Sequence, residues 1–191
     1  AYYCSVTYNV KLNPEKLLFN EKCIIVYDSD GKEVQNTTSS LLKENISIKD
    51  LPQNLKDAFI STEDKRFYKH NGADFKRILR AFVNNFKARA LKEGASTISQ
   101  QIKKNTHLTQ EKTLKRKLKE WKLTRELEHT YTKDEILERY LNTIYFGHNC
   151  FGVSSAAKFY FAKSPTELTL DECAILAGLV RSPNNYSPFK N

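Results

Sequence analysis

The hydrophobic pattern changes character near residue 50. Before it, CIIVYDSDGKEV at 23–34 is a β-rich run, an Asp30-Gly31 turn and a short return strand, which predicts a hairpin. The tract QNTTSSLLKENIS that follows reads as an exposed connection. From about residue 50 the apolar positions take on helical spacing and keep it. Asp50 is placed to cap a helix with Pro52 in its first turn. Thr109, Thr132, Pro165 and Thr169 mark later starts. TKDE at 132–135 and TLDE at 169–172 both fit the capping box, in which threonine and glutamate each satisfy an orphan amide. Helices are expected over 110–130, 133–146, 154–162 and 170–180, punctuated by Gly147, Gly152 and Pro183. The pattern predicts a mainly α chain with a small N-terminal β element. Segment 1–50 is a linker and hairpin, and 51–191 a helical domain.

Composition narrows the class. With 191 residues, 40% of them hydrophobic, the chain suits one domain with an ordinary core. The formal charge of +9 predicts an anionic partner: nucleic acid, an anionic bilayer surface or a phosphorylated ligand. Window 101–125 holds nine Lys or Arg against two Glu, so most of the excess sits in one helix-length segment. Cys4, Cys23, Cys150 and Cys173 form no metal-binding spacing and read as small core residues. No apolar run reaches the roughly 20 residues that span a bilayer. The sequence contains no methionine, which implies an excised or processed piece of a longer product.

Four stretches carry candidate chemistry. STEDKRFYKHNG at 61–72 sets Glu63 and Asp64 among Lys65, Arg66, Lys69 and His70. Alone it reads as a solvated helix end, with a capping box from Ser61 to Asp64 and Gly72 as the stop. GASTISQQIKKN at 94–105 combines small residues, Ser96 or Thr97 as an N-cap, adjacent Gln100 and Gln101, and Lys103 and Lys104 within a turn. A helix starting there aims free amides at an anion. In the helix expected from near Thr109, Leu114, Leu118 and Trp121 make a buried stripe, and Arg116, Lys117 and Glu120 share one flank of it. That flank is either surface ion pairing in the weaker orientation or a cationic cradle for phosphate with a carboxylate beside it. In 73–94, Phe75, Ile78, Leu79, Phe82, Val83 and Phe86 recur between Lys76, Arg77, Arg80, Lys87 and Arg89. This is a core helix with a basic outer face, or an amphipathic element lying in a bilayer interface.

These stretches together resemble a known family. EDKRFYKHNG at 63–72 resembles the E-D-x-x-F-x-x-H-x-G motif of the family 51 glycosyltransferases, the peptidoglycan glycosyltransferases of bacterial cell-wall synthesis. GASTISQQ is similar to their G-x-S-T-x-x-Q-Q, RKLKE at 116–120 to R-K-x-x-E, KDEILERYLN at 133–142 to K-x-x-I-L-E-x-Y-L-N, and RSPNNYSP at 181–188 to R-x-P-x-x-Y-x-P. One departure is Ala95, where many members carry a second glycine.

The resemblance implies a mostly helical, lysozyme-like fold of two lobes around a cleft, with a membrane-facing jaw at about 73–93 made by the six apolar residues from Phe75 to Phe86. It implies polymerisation of lipid II into β-1,4-linked glycan, with inversion and release of undecaprenyl pyrophosphate. By motif position Glu63 is the general base and Glu120 the second essential glutamate. Lys104, Arg116 and Lys117 serve the donor's phosphates, Ser96, Thr97 and Gln101 hydrogen-bond sugar or phosphate groups, and Asp64, grouped with these substrate-binding residues, positions Glu63 or a basic partner. His70 and Gly72 are architectural. The resemblance leaves room for a divalent cation (Mg²⁺ or Mn²⁺) and implies no organic cofactor. The implied partners are lipid II, the growing glycan chain, the bacterial membrane and cell-wall synthesis machinery, with no nucleic acid. The implied location is the outer face of the cytoplasmic membrane, the anchor and a transpeptidase domain lying outside this sequence. The hairpin-like IIVYDSDGKEV is similar to the segment preceding this domain in bifunctional class A penicillin-binding proteins. Two rival readings are a lysozyme-like glycan-cleaving enzyme and a nucleic-acid-binding module.

Overall fold

In the computed structural model, which describes residues 2–17, 25–27, 33–36, 45–88, 94–106 and 113–189, helices follow one another along most of the chain. They are α1 (Tyr2–Thr7), α2 (Gln53–Glu63), α3 (Phe75–Ala88), α4 (Ile98–Thr106), α5 (Leu114–Thr130), α6 (Lys133–Thr143), α7 (Val153–Phe161), α8 (Leu170–Leu179) and α9 (Pro183–Tyr186). Strands β1 (Ile25–Tyr27) and β2 (Glu33–Asn36) pair antiparallel, Ile25 opposite Asn36 and Val26 opposite Gln35. This is the mainly α architecture with a small β element that the patterning predicts; the Asp30-Gly31 turn lies outside the described residues.

Helix α6 runs through the core. Ile136, Leu137, Tyr140 and Leu141 give it a fully buried stripe, and Thr132 and Glu135 form the capping box read from the sequence. Thr169 and Glu172 do the same for α8. Helices α4 and α6 pack together, α4 also lies on α5, and α2 lies on α8. Phe59 of α2 meets Tyr140 and Phe146 edge-on at 6.3 and 5.9 Å. On the outer side of α6, the Asn142 amide accepts from Ile46 N and donates to Ile46 O at 3.0 and 2.9 Å. Glu138 accepts from Ile48 N at 2.8 Å. The chain at Ile46 and Ile48 is thereby tied to α6 by the Asn142 and Glu138 side chains. Gly152 follows on the same side with φ +81, where a Cβ would stand 2.6 Å from the Asn142 carbonyl oxygen, so only glycine fits.

The first residues also join this body. Leu17 is fully buried in the main cluster, Tyr3 stands edge-on to Trp121 at 5.6 Å, and Lys122 donates to Thr7 O at 2.8 Å. Cys150 and Cys173 are buried free thiols, and burial pushes the Cys150 thiol up to about 11. The side chain of Cys4 and all of Cys23 lie outside the described residues.

Several local expectations are corrected. Asp50 caps nothing: its N–H donates to Ser47 O in a turn, and α2 begins at Gln53 behind Pro52. Residues 61–64 end α2 instead of starting a helix, so Ser61 and Asp64 make no capping box. Helix α5 starts at Leu114 with Thr113 as its cap; Thr109 lies outside the described residues. The stripe Leu114–Leu118–Trp121 is not the buried face, since Leu114 is 76% exposed. The buried face is Glu120, Leu123, Thr124 and Leu127. Two of those four are polar, and Thr124 is quieted by donating to Glu120 O at 2.8 Å, so hydrophobic periodicity could not find the face.

Candidate active site

Glu63 is the last residue of α2, and the chain turns sharply at Asp64, whose N–H still bonds Ile60 O. The two carboxylates therefore leave the helix end in different directions. Asp64 has no solvent exposure. Both its oxygens stand 3.0 Å from His70 Nε2, and Oδ2 also accepts from Ile98 N at 3.2 Å. Glu63 is only half-buried, and its Oε2 accepts from Gln101 Nε2 at 2.6 Å. Consecutive acids thus grip the first turn of α4 at two points, one inside the core and one at its edge.

That first turn is itself tightly specified. Thr97, rather than Ser96, is the N-cap. Its hydroxyl accepts from Gln100 N at 3.3 Å, and Gln100 Oε1 accepts from Thr97 N at 3.2 Å, a capping box closed by glutamine. The same hydroxyl donates to Gly72 O at 2.6 Å. Gly72 sits at φ +88, where a Cβ would fall 2.6 Å from Thr124 Cγ2. Glycine there lets the 70–72 loop press against α5 and hand its carbonyl to Thr97.

Facing Glu63 across the cleft is the flank of α5. Glu120 is 3% exposed, with Arg116 Nη1 at 3.2 Å from one oxygen and Lys117 Nζ at 2.8 Å from the other. The Lys117 side chain remains about half exposed, so its charge still reaches solvent. A cleft of about 570 Å³ holds Glu63, Ser96, Gln101, Arg116, Lys117 and Glu120 on one wall system, with Tyr145 and Arg181 closing it. A second space of about 660 Å³ shares Glu63, Ser96, Gln101 and Arg181 with the first and continues past Lys65, Arg77 and Arg80. Glu63 therefore stands where two cation-lined spaces meet.

Behind it, Arg77 Nη1 donates to the Glu63 carbonyl, and Nη2 reaches Gly94 O at 3.4 Å. Helix α3 is started by Asp74, whose Oδ1 accepts from Arg77 N at 3.0 Å. On the far side of α3 the six apolar residues are open to solvent: Phe75 71%, Phe82 68% and Phe86 78% exposed, with Ile78, Leu79 and Val83 exposed too. The core-helix reading of this segment is overturned, because only Ala81 of α3 is buried.

Of the residues expected at the site, Glu63, Ser96, Gln101, Arg116, Lys117 and Glu120 line one cleft. Asp64 and Thr97 do not line either space. Both are fully buried, with their polar atoms committed to His70, Ile98, Gly72 and Gln100. Lys104 lies on α4, but its side chain is outside the described residues. Sequence reasoning missed Arg77, Arg80, Arg181 and Tyr145 as cleft residues. The available signal was the i, i+3 spacing of Arg77 and Arg80 opposite the apolar stripe, and Arg181 as the first residue of RSPNNYSP.

The comparisons with known proteins bear on this cleft. Residues 30–191 match the family model described as transglycosylase. The chain belongs to the transglycosylase family. It is 42% identical over 184 residues to penicillin-binding protein 1A of Clostridium botulinum (strain Langeland), covering 94% of this chain and 22% of that protein. It is 43% identical over 181 residues to penicillin-binding protein 1F of Bacillus subtilis, covering 93% and 25%. Penicillin-binding protein 1A/1B of Bacillus subtilis is 46% identical over 167 residues, covering 87% and 18%. The chain spans about a fifth to a quarter of the length of these relatives. Its mainly helical architecture agrees with a lysozyme-like transglycosylase domain.

The donor set of this transglycosylase domain does not suit a resident metal. Among the described residues no three His, Cys, Asp or Glu side chains converge, and both Glu120 oxygens are engaged by cations.

Proposed function

We propose that this domain polymerises lipid II, with the growing glycan's lipid diphosphate as donor and a second lipid-linked disaccharide as acceptor. An acceptor sugar hydroxyl is a poor nucleophile until its proton is removed. Glu63 takes that proton as the hydroxyl oxygen bonds to the donor's anomeric carbon. The bond from that carbon to the diphosphate oxygen breaks on the opposite face, giving inversion and a β-1,4 link. Diphosphate leaves as an anion and needs its growing charge offset more than it needs a proton. Arg116 and Lys117 supply that offset, and Glu120 holds both cations in place by pairing one with each oxygen. Arg77, Arg80 and Arg181 give the acceptor's phosphates a cationic wall on the other side of Glu63. Ser96 and Gln101 line both spaces and are within the seam where the sugars must meet. The observation that carries this reading is the position of Glu63 between two cation-lined spaces.

Helix α3 completes the picture. Its exposed Phe and Leu residues are proposed to enter the bilayer interface, setting the cleft at headgroup height where a lipid-linked substrate presents its phosphates. The parent protein then works at the outer face of the bacterial cytoplasmic membrane, alongside other cell-wall synthesis proteins. A divalent cation would enter with the substrate diphosphate.

Labelled lipid II in detergent tests the proposal. The expected product is polymer from the wild-type chain and none from Glu63→Gln, with thermal melting unchanged. Near-wild-type glycan from that variant removes Glu63 from its role. Degradation of added glycan, or salt-sensitive polynucleotide binding without any reaction, would favour the rival readings.

A further inference from the structure

The base is held by Gln101, and the structure shows what holds Gln101. We infer that Tyr140 is a positioning residue for the reaction, its buried hydroxyl pinning the far end of the Gln101 amide so that the near end fixes Glu63. The inference rests on the reading of Glu63 as base.

A carboxamide has two chemically opposite ends, a donor NH₂ and an acceptor oxygen. The donor end meets Glu63 Oε2 at 2.6 Å. The acceptor end faces Tyr140 Oη at 3.5 Å. With Tyr140 beneath it, a side chain reaching from α4 to the cleft edge is tied at both ends. The phenol is a rigid post. Tyr140 is 1% exposed, comes from the middle of α6, and meets Phe59 edge-on at 6.3 Å. Burial above all, then the negative charges of Glu63 and Asp64, raises its pKa well above the usual tyrosine value, so it stays a neutral donor. The path Tyr140–Gln101–Glu63 thus runs from the packed core to the reacting oxygen, through a long 3.5 Å contact and then a short 2.6 Å hydrogen bond. Polar groups acting in series this way matter to rate through geometry, since small misplacement of a reacting group is costly.

The test is a double-mutant cycle on the intact protein with lipid II. Tyr140→Phe keeps the ring and removes only the hydroxyl. The expected result is a kcat lowered about tenfold with KM little changed, because substrate contacts remain. Gln101→Leu is expected to lower kcat at least as far, and the double variant to be no slower than Gln101→Leu alone, since both act through one link. Wild-type kcat in Tyr140→Phe, or effects that multiply in the double variant, overturns the inference. Wild-type kcat in Gln101→Leu overturns it however Tyr140→Phe folds. Failure of the underlying reading looks different: Glu63→Gln would then polymerise, whereas failure of this inference leaves Glu63→Gln inactive.

Discussion

Glu120 accepts from Lys117 Nζ at 2.8 Å while being itself almost wholly buried beside a lysine that is half exposed. A carboxylate is thereby used as the inner post for a charge that works outward. Glu120→Gln keeps the shape but weakens the hold on both Lys117 and Arg116. Polymerisation is expected to fall by about 10²–10³-fold, the scale of losing one preorganised electrostatic group. Arg116→Ala should weaken donor use far more than Lys158→Ala, an exposed lysine outside the cleft. Steady-state kinetics of the three variants checks this; equal effects would reduce the cradle to a charged surface.

Asp64 is predicted to matter through stability and shape. Asp64→Ala leaves His70 Nε2 and Ile98 N without their acceptor inside the core. The expected cost is about 1–3 kcal/mol for each donor stranded without solvent. A lower denaturant midpoint at unchanged slope is the result to look for.

The cap of α6 gives a pH dependence of known sign. Hydrogen bonds from the Thr132 backbone, then from its hydroxyl, hold the Glu135 carboxyl below its ordinary 4.5. A depressed folded-state value means that the unfolded chain binds the proton more readily. The stabilisation is therefore present at neutral pH and lost as pH falls through the depressed value. Thr132→Ala should cost about 1 kcal/mol at pH 7. The gap to wild type should narrow as pH drops below 4.5, measured by urea titration at each pH.

The exposed face of α3 predicts bilayer binding. Phe82 and Phe86 are 68% and 78% exposed on one side of a helix whose other side carries Arg77 and Arg80. Burying one phenylalanine in an apolar phase gains about 1.5–3 kcal/mol. Phe82→Glu should therefore lower partitioning onto anionic vesicles by at least about tenfold while leaving the melting temperature alone. Vesicle flotation measures the first and calorimetry the second. Undiminished flotation would assign that face to another partner.

Much of this is legible in the sequence. Thr132 with Glu135 and Thr169 with Glu172 are local signals, settled by atoms three residues apart, and they hold. The grouping of Arg116, Lys117 and Glu120 is likewise local and also holds. What escaped is non-local. Which face of α5 is buried depends on α4 and on the 70–72 loop, not on the apolar count of α5, so Leu114 was misplaced. Asp64 and Thr97 carry substrate-like chemistry but spend it inside the core, a choice made by His70 and Gly72 across the fold. Arg77 and Arg80 read as a solvated basic face because nothing in their own helix reveals that Glu63 lies beneath them.

Arg77 gives the apolar helix a second meaning. It grows from α3, yet its guanidinium grasps the main chain of the very residue proposed to abstract the proton. With α3 in a bilayer interface as proposed, the helix that meets the surface would be the same one whose Arg77 fork holds the carbonyl of Glu63. Depth of immersion and placement of the proposed base would then be set through a single side chain.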